Sequence, residues 1–473
     1  MKNIKITVLI LLLGVSFSCE KDFLNPSPTA AIDLDEFFTT EAQLEAAVLN
    51  MYDGIQGENN YTTGRNHAIQ LEYQATEMRS DNTRTKASEG EPAQWESFTV
   101  VANNGTVIDY YRSFYNVIFR ANLVLQNLNV ASEENLAAIE GEAKFVRAYA
   151  YFNLVRLYGD IPLVDRIIGL DETDIQYTRV AAATVYELII SDLQTAIAGL
   201  DNTYVNRASR AAAQTLLAKV YLTLGTNYVE AQTLLESVMS SGYSLEADFK
   251  DVFFNEGNGE VIFAIGYLPD NADDSQNFSA EWLNAVGRSS GLNYVTDECR
   301  EAFDQFGGDR TQFSYRQDPE QPSQYQVIKY LPIGDESLGI EPTSSNPTLA
   351  GNDWIVIRYA DVLLMHVEAI MAGGQSTSAQ AALDSFQLVR DRAGLTDPVT
   401  SITKQELLDE RRVELAFENH RIFDLIRFNE AQSVLSAFSD ANGYGFSATD
   451  LLLPIPQSEI NLSNGMLTQN PGY

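Results

Sequence analysis

The chain has 473 residues, of which 45% are hydrophobic and 20% charged, so it carries enough apolar material for a sizeable core and is not a disordered polymer. Against 65 Asp and Glu there are only 31 Lys and Arg, giving a formal net charge of -34 and a pI near 4.3. Such a surface repels phosphate, which excludes nucleic acid and anionic lipid as main partners and suits neutral ligands or basic patches.

Lys2 and Lys5 precede an apolar run over residues 6–15, followed by Ser16, Phe17, Ser18 and Cys19. Residues 1–18 therefore read as a signal peptide, the run being too short to cross ~30 Å of hydrocarbon as a permanent helix. Cys19 resembles the lipid-accepting cysteine of bacterial lipoproteins, with Ser16 where their motif usually has Leu. The resemblance implies acylation (palmitate-type chains) at Cys19 and tethering to a membrane, which two or more acyl chains make durable. With Cys19 used in this way, Cys299 is the only other thiol and no intramolecular disulfide is expected. Residues 19–34, with Pro26 and Pro28, read as an extended tether ahead of a body over 35–473.

Apolar residues three or four apart predict helices over 35–55, 110–128, 133–158, 181–200 and 207–224, the core of a mostly α scaffold over about 35–245 and again 356–430. In the last of the five, Ala213, Leu217, Val220 and Leu224 align as one buried stripe. Residues 210–238 can be laid on 358–386 without a gap, placing Arg210 on Arg358, Ala212 on Ala360, Leu216 on Leu364 and Val220 on Glu368. Each copy reads as a helix ending near Gly225 or Gly373 and Gly374, then a second helix, as in tetratricopeptide-like pairs that bury a core by stacking.

Two stretches break this pattern: an insertion over 56–104 and a Gly-, Asn-, Asp- and Pro-rich region over 246–355, the latter with short apolar runs at 260–267 and 325–331 that predict strands. Long irregular segments on a rigid scaffold are where ligand contacts are expected. Sugars need flat aromatic faces beside planar polar groups. The insertion offers Tyr61, Arg65, Asn66, Arg79, Asp81, Asn82 and Trp95; the later region offers Trp282, Asn284, Arg288, Asn293 and Tyr294. Asp270, Asp273 and Asp274, with Asn271 and Asn277, form a weak candidate for Ca²⁺, although their spacing is not that of an EF-hand loop.

Residues 142–163, EAKFVRAYAYFNLVRLYGDIPL, resemble a helix and turn typical of the SusD/RagB family. Residues 358–361 (RYAD), 410–425 (ERRVELAFENHRIFDL), 453–460 (LPIPQSEI) and 467–473 (LTQNPGY) resemble further segments of the same family, the last two within a carboxy-terminal portion over 431–473. The resemblance implies a tetratricopeptide-type helical half, a variable half that binds nutrient, and a SusC-like TonB-dependent β-barrel transporter as partner. It also implies a surface-exposed, lipid-anchored outer-membrane protein that captures oligosaccharide or, in the RagB-like branch, oligopeptide. Arg147, Arg411, Arg412 and Arg421, with Glu142, Glu414 and Asp424, read as charge pairs that hold helices together.

Catalytic templates are missing: there is no Gly-rich phosphate loop with Lys, no Gly-x-Ser-x-Gly and no His-Glu-x-x-His. Only His67, His366 and His420 occur, and 65 acidic residues make some carboxylate pair inevitable, so a surface glycoside hydrolase is the lesser reading and no enzyme or cofactor is expected.

Overall fold

The computed structural model describes residues 37–59, 66–85, 89–169, 171–283 and 293–473; the stretches read as a signal peptide and a tether, with Cys19, lie outside them. Helix α1 (Glu41–Gln56) begins where Thr40 and Gln43 form a reciprocal capping box. Helix α2 (Gly105–Gln126) begins where the Asn104 side chain accepts from the amides of Thr106 and Val107. These two pack together with α3 (Leu136–Tyr158), and α3 in turn packs along α4 (Ala182–Gly199).

Helix α5 (Arg210–Leu224) is capped by Ser209 and stopped by Gly225, whose φ of 64° is left-handed backbone that a side chain would strain. It pairs with α6 (Tyr228–Met239). Helices α8 (Tyr359–Met371) and α9 (Gln380–Arg392) repeat the arrangement, and α6 packs against α8, so the two hairpins stack as the 148-residue repeat predicts. Between them in chain order comes α7 (Asp297–Phe306), capped by Thr296 inside the region read as loops and short strands. The carboxy-terminal part adds α10 (Lys404–Glu414), α11 (Arg421–Arg427), α12 (Ala431–Asn442) and α13 (Gln457–Leu462).

The expected stripe on α5 is corrected at its end. Ala213, Leu217 and Val220 are buried, but Leu224, the residue before the glycine stop, is exposed, while almost every residue from Ala211 to Leu222 is buried because α4, α6 and α8 cover the helix from several sides. The mismatch of Val220 with Glu368 has a local reason: Arg427 reaches over to Glu368 at 2.7 Å, so a carboxylate is tolerated where the first copy has core.

Strands are short and paired in twos. Strand β1 (Thr83–Arg84) pairs antiparallel with β3 (Tyr294–Val295); β2 (Val261–Ile265) pairs with β6 (Trp354–Arg358), and β4 (Tyr315–Gln317) with β5 (Tyr325–Val327). One apolar core runs from Phe38 to Leu467, through both the helical scaffold and the loop-rich region. No described helix is long and apolar enough to cross a membrane.

Buried charge knits the same parts together. Arg358, at the end of β6, meets Glu260 at 2.7 Å, Glu414 at 2.6 Å and Glu418 at 2.7 Å; Arg310 bridges Glu410 and Glu414 at 2.6 Å each; Lys329 meets Glu418 at 2.6 Å. Burial alone would push the Glu414 carboxyl up, yet Arg392, Arg358 and Arg310 together hold it well below the usual carboxylate range. Arg411 pairs with Asp361 and Asp424, Arg147 with Asp192, and Glu142 accepts from Arg207 and from the Tyr52 hydroxyl. These side chains therefore do pair between helices, although several find partners other than the nearest ones in sequence.

Candidate functional site

The two irregular segments meet. Across the β1–β3 ribbon, Thr83 stands opposite Val295 and Arg84 opposite Tyr294. Behind it, the Thr296 hydroxyl donates to the carbonyl of Asp81 at 2.7 Å, and Gln70 accepts from the amide of Asn277 at 3.3 Å. The Asn59 amide group donates to Ser275 Oγ at 2.6 Å and to the Thr348 carbonyl at 2.8 Å. Loops that separately would be poor at holding a ligand thus brace each other into one surface.

On that surface the Arg84 guanidinium donates through Nε to the Tyr294 hydroxyl at 3.1 Å and through Nη1 to Asn442 Oδ1 at 3.2 Å, with its carbon 5.4 Å from the centre of the Tyr294 ring. Asn442 ends α12, and the chain then turns through Gly443 to bring in Tyr444, whose hydroxyl donates to Glu96 Oε1 at 2.8 Å. The other Glu96 oxygen accepts from the amide of Thr85. Burial pushes the Glu96 carboxyl up, countered by those two donors and by Arg84. Arg84, Tyr294, Asn442 and Tyr444 are all half-buried. The result is two phenol rings and a guanidinium fixed in place, an arrangement that can stack on an apolar face and hydrogen-bond its edge.

Of the residues singled out from sequence, Tyr294 lies in this cluster. Trp95 and Trp282 do not offer a platform: they are 0% and 1% exposed. Trp282 is enclosed between Tyr73 and Phe417, with ring centres 5.6 and 5.9 Å away. Both indoles are core, which follows from their size and from the apolar interior that runs beneath the loops.

Arg79 is buried and donates to the carbonyls of Ala75 at 3.2 Å and Asp450 at 2.6 Å. Asp81 is held by Arg421 at 2.8 Å and Arg412 at 2.9 Å. Asn82 donates to Glu77 and accepts from Arg412, Asn66 donates to the Gly54 carbonyl, and Asn293 is buried with its backbone amide donating to the Glu281 carbonyl. Arg79, Asp81, Asn82 and Asn66 thus spend side-chain groups on partners within the protein, and Asn293 is enclosed. Tyr61, Arg65, Asn284 and Arg288 lie outside the described residues.

Sequence reasoning missed Arg84, Glu96, Asn442 and Tyr444. Arg84 sits among the polar residues Asn82 to Lys86 and carries an alternation signal too short to register. Tyr444 comes from the carboxy-terminal portion, and nothing local links it to the insertion.

Asp270 and Asp274 of the acidic trio accept from neighbouring side chains. Asp270 accepts from the hydroxyls of Ser344 at 3.0 Å and Ser345 at 2.8 Å, and Asp274 accepts from the Asn271 amide at 2.9 Å. Among the described residues, no three His, Cys, Asp or Glu side chains converge as metal ligands would. His366 contacts Ser385 at 2.9 Å and Glu236 at 3.4 Å, and withdrawal from water pushes the His420 imidazolium down to about 3.

Comparison with known proteins agrees with this architecture. A family model described as the SusD family matches residues 316–473, and a second, described as starch-binding and associating with outer membrane, matches residues 22–222. The chain is 28% identical to SusD-like protein P2 of Formosa agariphila over all of both chains. A laminarin-binding SusD-like protein superposes with a TM-score of 0.75 at 24% identity, covering 92% of this chain and 100% of its own. Surface glycan-binding protein A from Bacteroides thetaiotaomicron, in complex with laminarihexaose, superposes with a TM-score of 0.74 at 22% identity, covering 91% and 100%.

Proposed function

This chain belongs to the SusD/RagB family, and from that premise we propose that it is a binding protein of the outer membrane that captures a neutral oligosaccharide or polysaccharide nutrient. The observation that carries this reading is the half-buried Arg84–Tyr294 pair, fixed across the β1–β3 ribbon and flanked by Asn442 and Tyr444. A sugar ring has two apolar C–H faces and a hydroxyl rim, and this cluster provides an aromatic face and planar donors for them. The laminarin-binding and laminarihexaose-bound relatives support the ligand class.

Further steps belong to the same proposal. Cys19 carries acyl chains that anchor the protein on the outer surface, and the captured glycan passes to a SusC-like TonB-dependent barrel. Capture proceeds without turnover. The Cys299 thiol is enclosed and pushed up to about 12, mainly by burial, which makes it a poor nucleophile. The buried carboxylates around Glu414 are engaged by arginines in place of a substrate.

The test is binding of the mature chain to a glycan array and, in parallel, to an oligopeptide pool. One class of neutral glycan should bind, and Arg84→Ala and Tyr294→Ala should each weaken it by roughly tenfold. Peptide binding without glycan binding would contradict the proposal, as would new reducing ends accumulating on prolonged incubation. Recovery of a large β-barrel with the tagged lipoprotein from outer membranes tests the delivery step; recovery of the lipoprotein alone would count against it.

A further inference from the structure

A second concavity lies on α2. Tyr111, Tyr115 and Phe119 follow one another at four-residue steps, so their rings line a single strip of the helix. The rings of Tyr111 and Tyr115 are 4.8 Å apart and inclined at 46°. Val164, residues 166–168 and Tyr177 also line it, and Glu459 and Leu467 complete the lining of a volume of about 450 Å³. That lies within the range of about 300–1,000 Å³ usual for small-molecule sites. None of its residues belongs to the Arg84–Tyr294 cluster.

The chemistry of the lining narrows the ligand. Phe119 is 45% exposed and Tyr115 and Tyr177 are half-buried, which leaves aromatic surface open to solvent. Arg112, Asn116, Arg166 and Gln176 stand exposed around it. The cationic groups are already neutralised: Arg112 lies 2.7 Å from Glu459, and Arg166 lies 2.5 Å from Glu172 and 3.5 Å from Asp165. An anion therefore finds no unmatched positive charge. The wall is set in advance, because the Tyr115 hydroxyl donates to the Pro162 carbonyl at 2.8 Å and the Asn122 amide to the Val164 carbonyl at 2.9 Å.

We propose that this concavity is a second binding site for a neutral oligosaccharide, its sugar faces on Phe119 and Tyr177 and its hydroxyl edges on Arg112, Asn116 and Gln176. The ligand class rests on the glycan-binding reading above; the location does not. A second site built from other residues lets one molecule hold a long polymer at two points, which raises retention through effective concentration.

Trp95, Trp282 and Trp354 are all buried, so an indole placed at the concavity is the one that a ligand there touches, and the parent protein titrated in parallel gives the background. The experiment is a fluorescence titration of the mature Phe119→Trp protein with laminari-, cello-, xylo-, manno- and maltohexaose at millimolar concentration. At least one should give a saturable emission change that persists when Tyr294→Ala is added and weakens about fivefold to tenfold when Tyr177→Ala is added. No response to any of the five overturns the second site, whatever the glycan array shows for the first face. A response abolished by Tyr294→Ala also overturns it, since the reporter would then be sensing the first face. A response to a peptide pool and to no sugar would make the concavity a protein-docking surface and overturn it as well. Unchanged glycan binding on the array in Arg84→Ala and Tyr294→Ala, together with the expected fluorescence response, would support the second site and count against the first face only.

Discussion

Truncating Trp95 or Trp282 removes a fully enclosed indole, so alanine at either position should cost about 3–5 kcal/mol of stability through the lost burial and the cavity left behind. Denaturant midpoints of the two variants check this; unchanged stability with lost glycan affinity would return the tryptophans to the ligand surface. Glu72 makes a different prediction. It is enclosed, one of its carboxylate oxygens has no hydrogen-bond partner, and burial raises its pKa to about 7 against the pull of Arg156 and Lys219. The folded protein therefore keeps a proton that the unfolded chain releases near pH 4.5, and the contribution of Glu72 to stability falls as pH rises from about 4.5 to 7. Glu72→Gln should thus gain on the parent as pH rises, by an amount of order 3 kcal/mol between about pH 4 and pH 8. Glu77 and His420 are present in both proteins, so their titration cancels in the comparison, and a stability difference independent of pH would contradict the assignment.

At the scale of elements, Arg358 ties β6 to Glu260 just ahead of β2, to Glu414 at the end of α10 and to Glu418 beyond it. Replacing it with alanine takes one cation from each of Glu260, Glu414 and Glu418 in the interior and leaves them to Arg392, Arg310 and Lys329, and the expected loss is about 3–5 kcal/mol, read from denaturation curves. A loss below about 1 kcal/mol would mean the network is solvated in solution. The long helices were legible because apolar periodicity and side-chain caps are local signals: Asn104 and Ser209 each start a helix by accepting from amides two or three residues on. The 148-residue repeat was legible for the same reason, since each copy is one hairpin. The proposed binding face was not. Its central contact joins residues 210 apart through a two-residue ribbon, and its flank comes from the end of α12, so no window of sequence contains it. The aromatic content of the loops singled out Trp95 and Trp282, which the structure buries, because the same large residues that suit a sugar face also fill a core.

For the whole molecule, the stacked hairpins and the loop-rich region share one apolar core, so the proposed ligand face rests on a continuous body. The net charge of -34 belongs to the whole chain, while the proposed ligand is neutral. Affinity for the preferred glycan should therefore change by less than about twofold between roughly 0.05 and 0.5 M salt, where a charged ligand would lose much more. Calorimetric titration at the two salt concentrations checks this, and a steep salt dependence would argue for a charged ligand. Where the sugar lies is the most direct test of glycan capture at the Arg84–Tyr294 pair. A crystal structure of the mature protein with its tightest-binding oligosaccharide should show a ring in van der Waals contact with Tyr294 and a hydroxyl hydrogen-bonded to Arg84; a ligand held elsewhere, with that face empty, would contradict it.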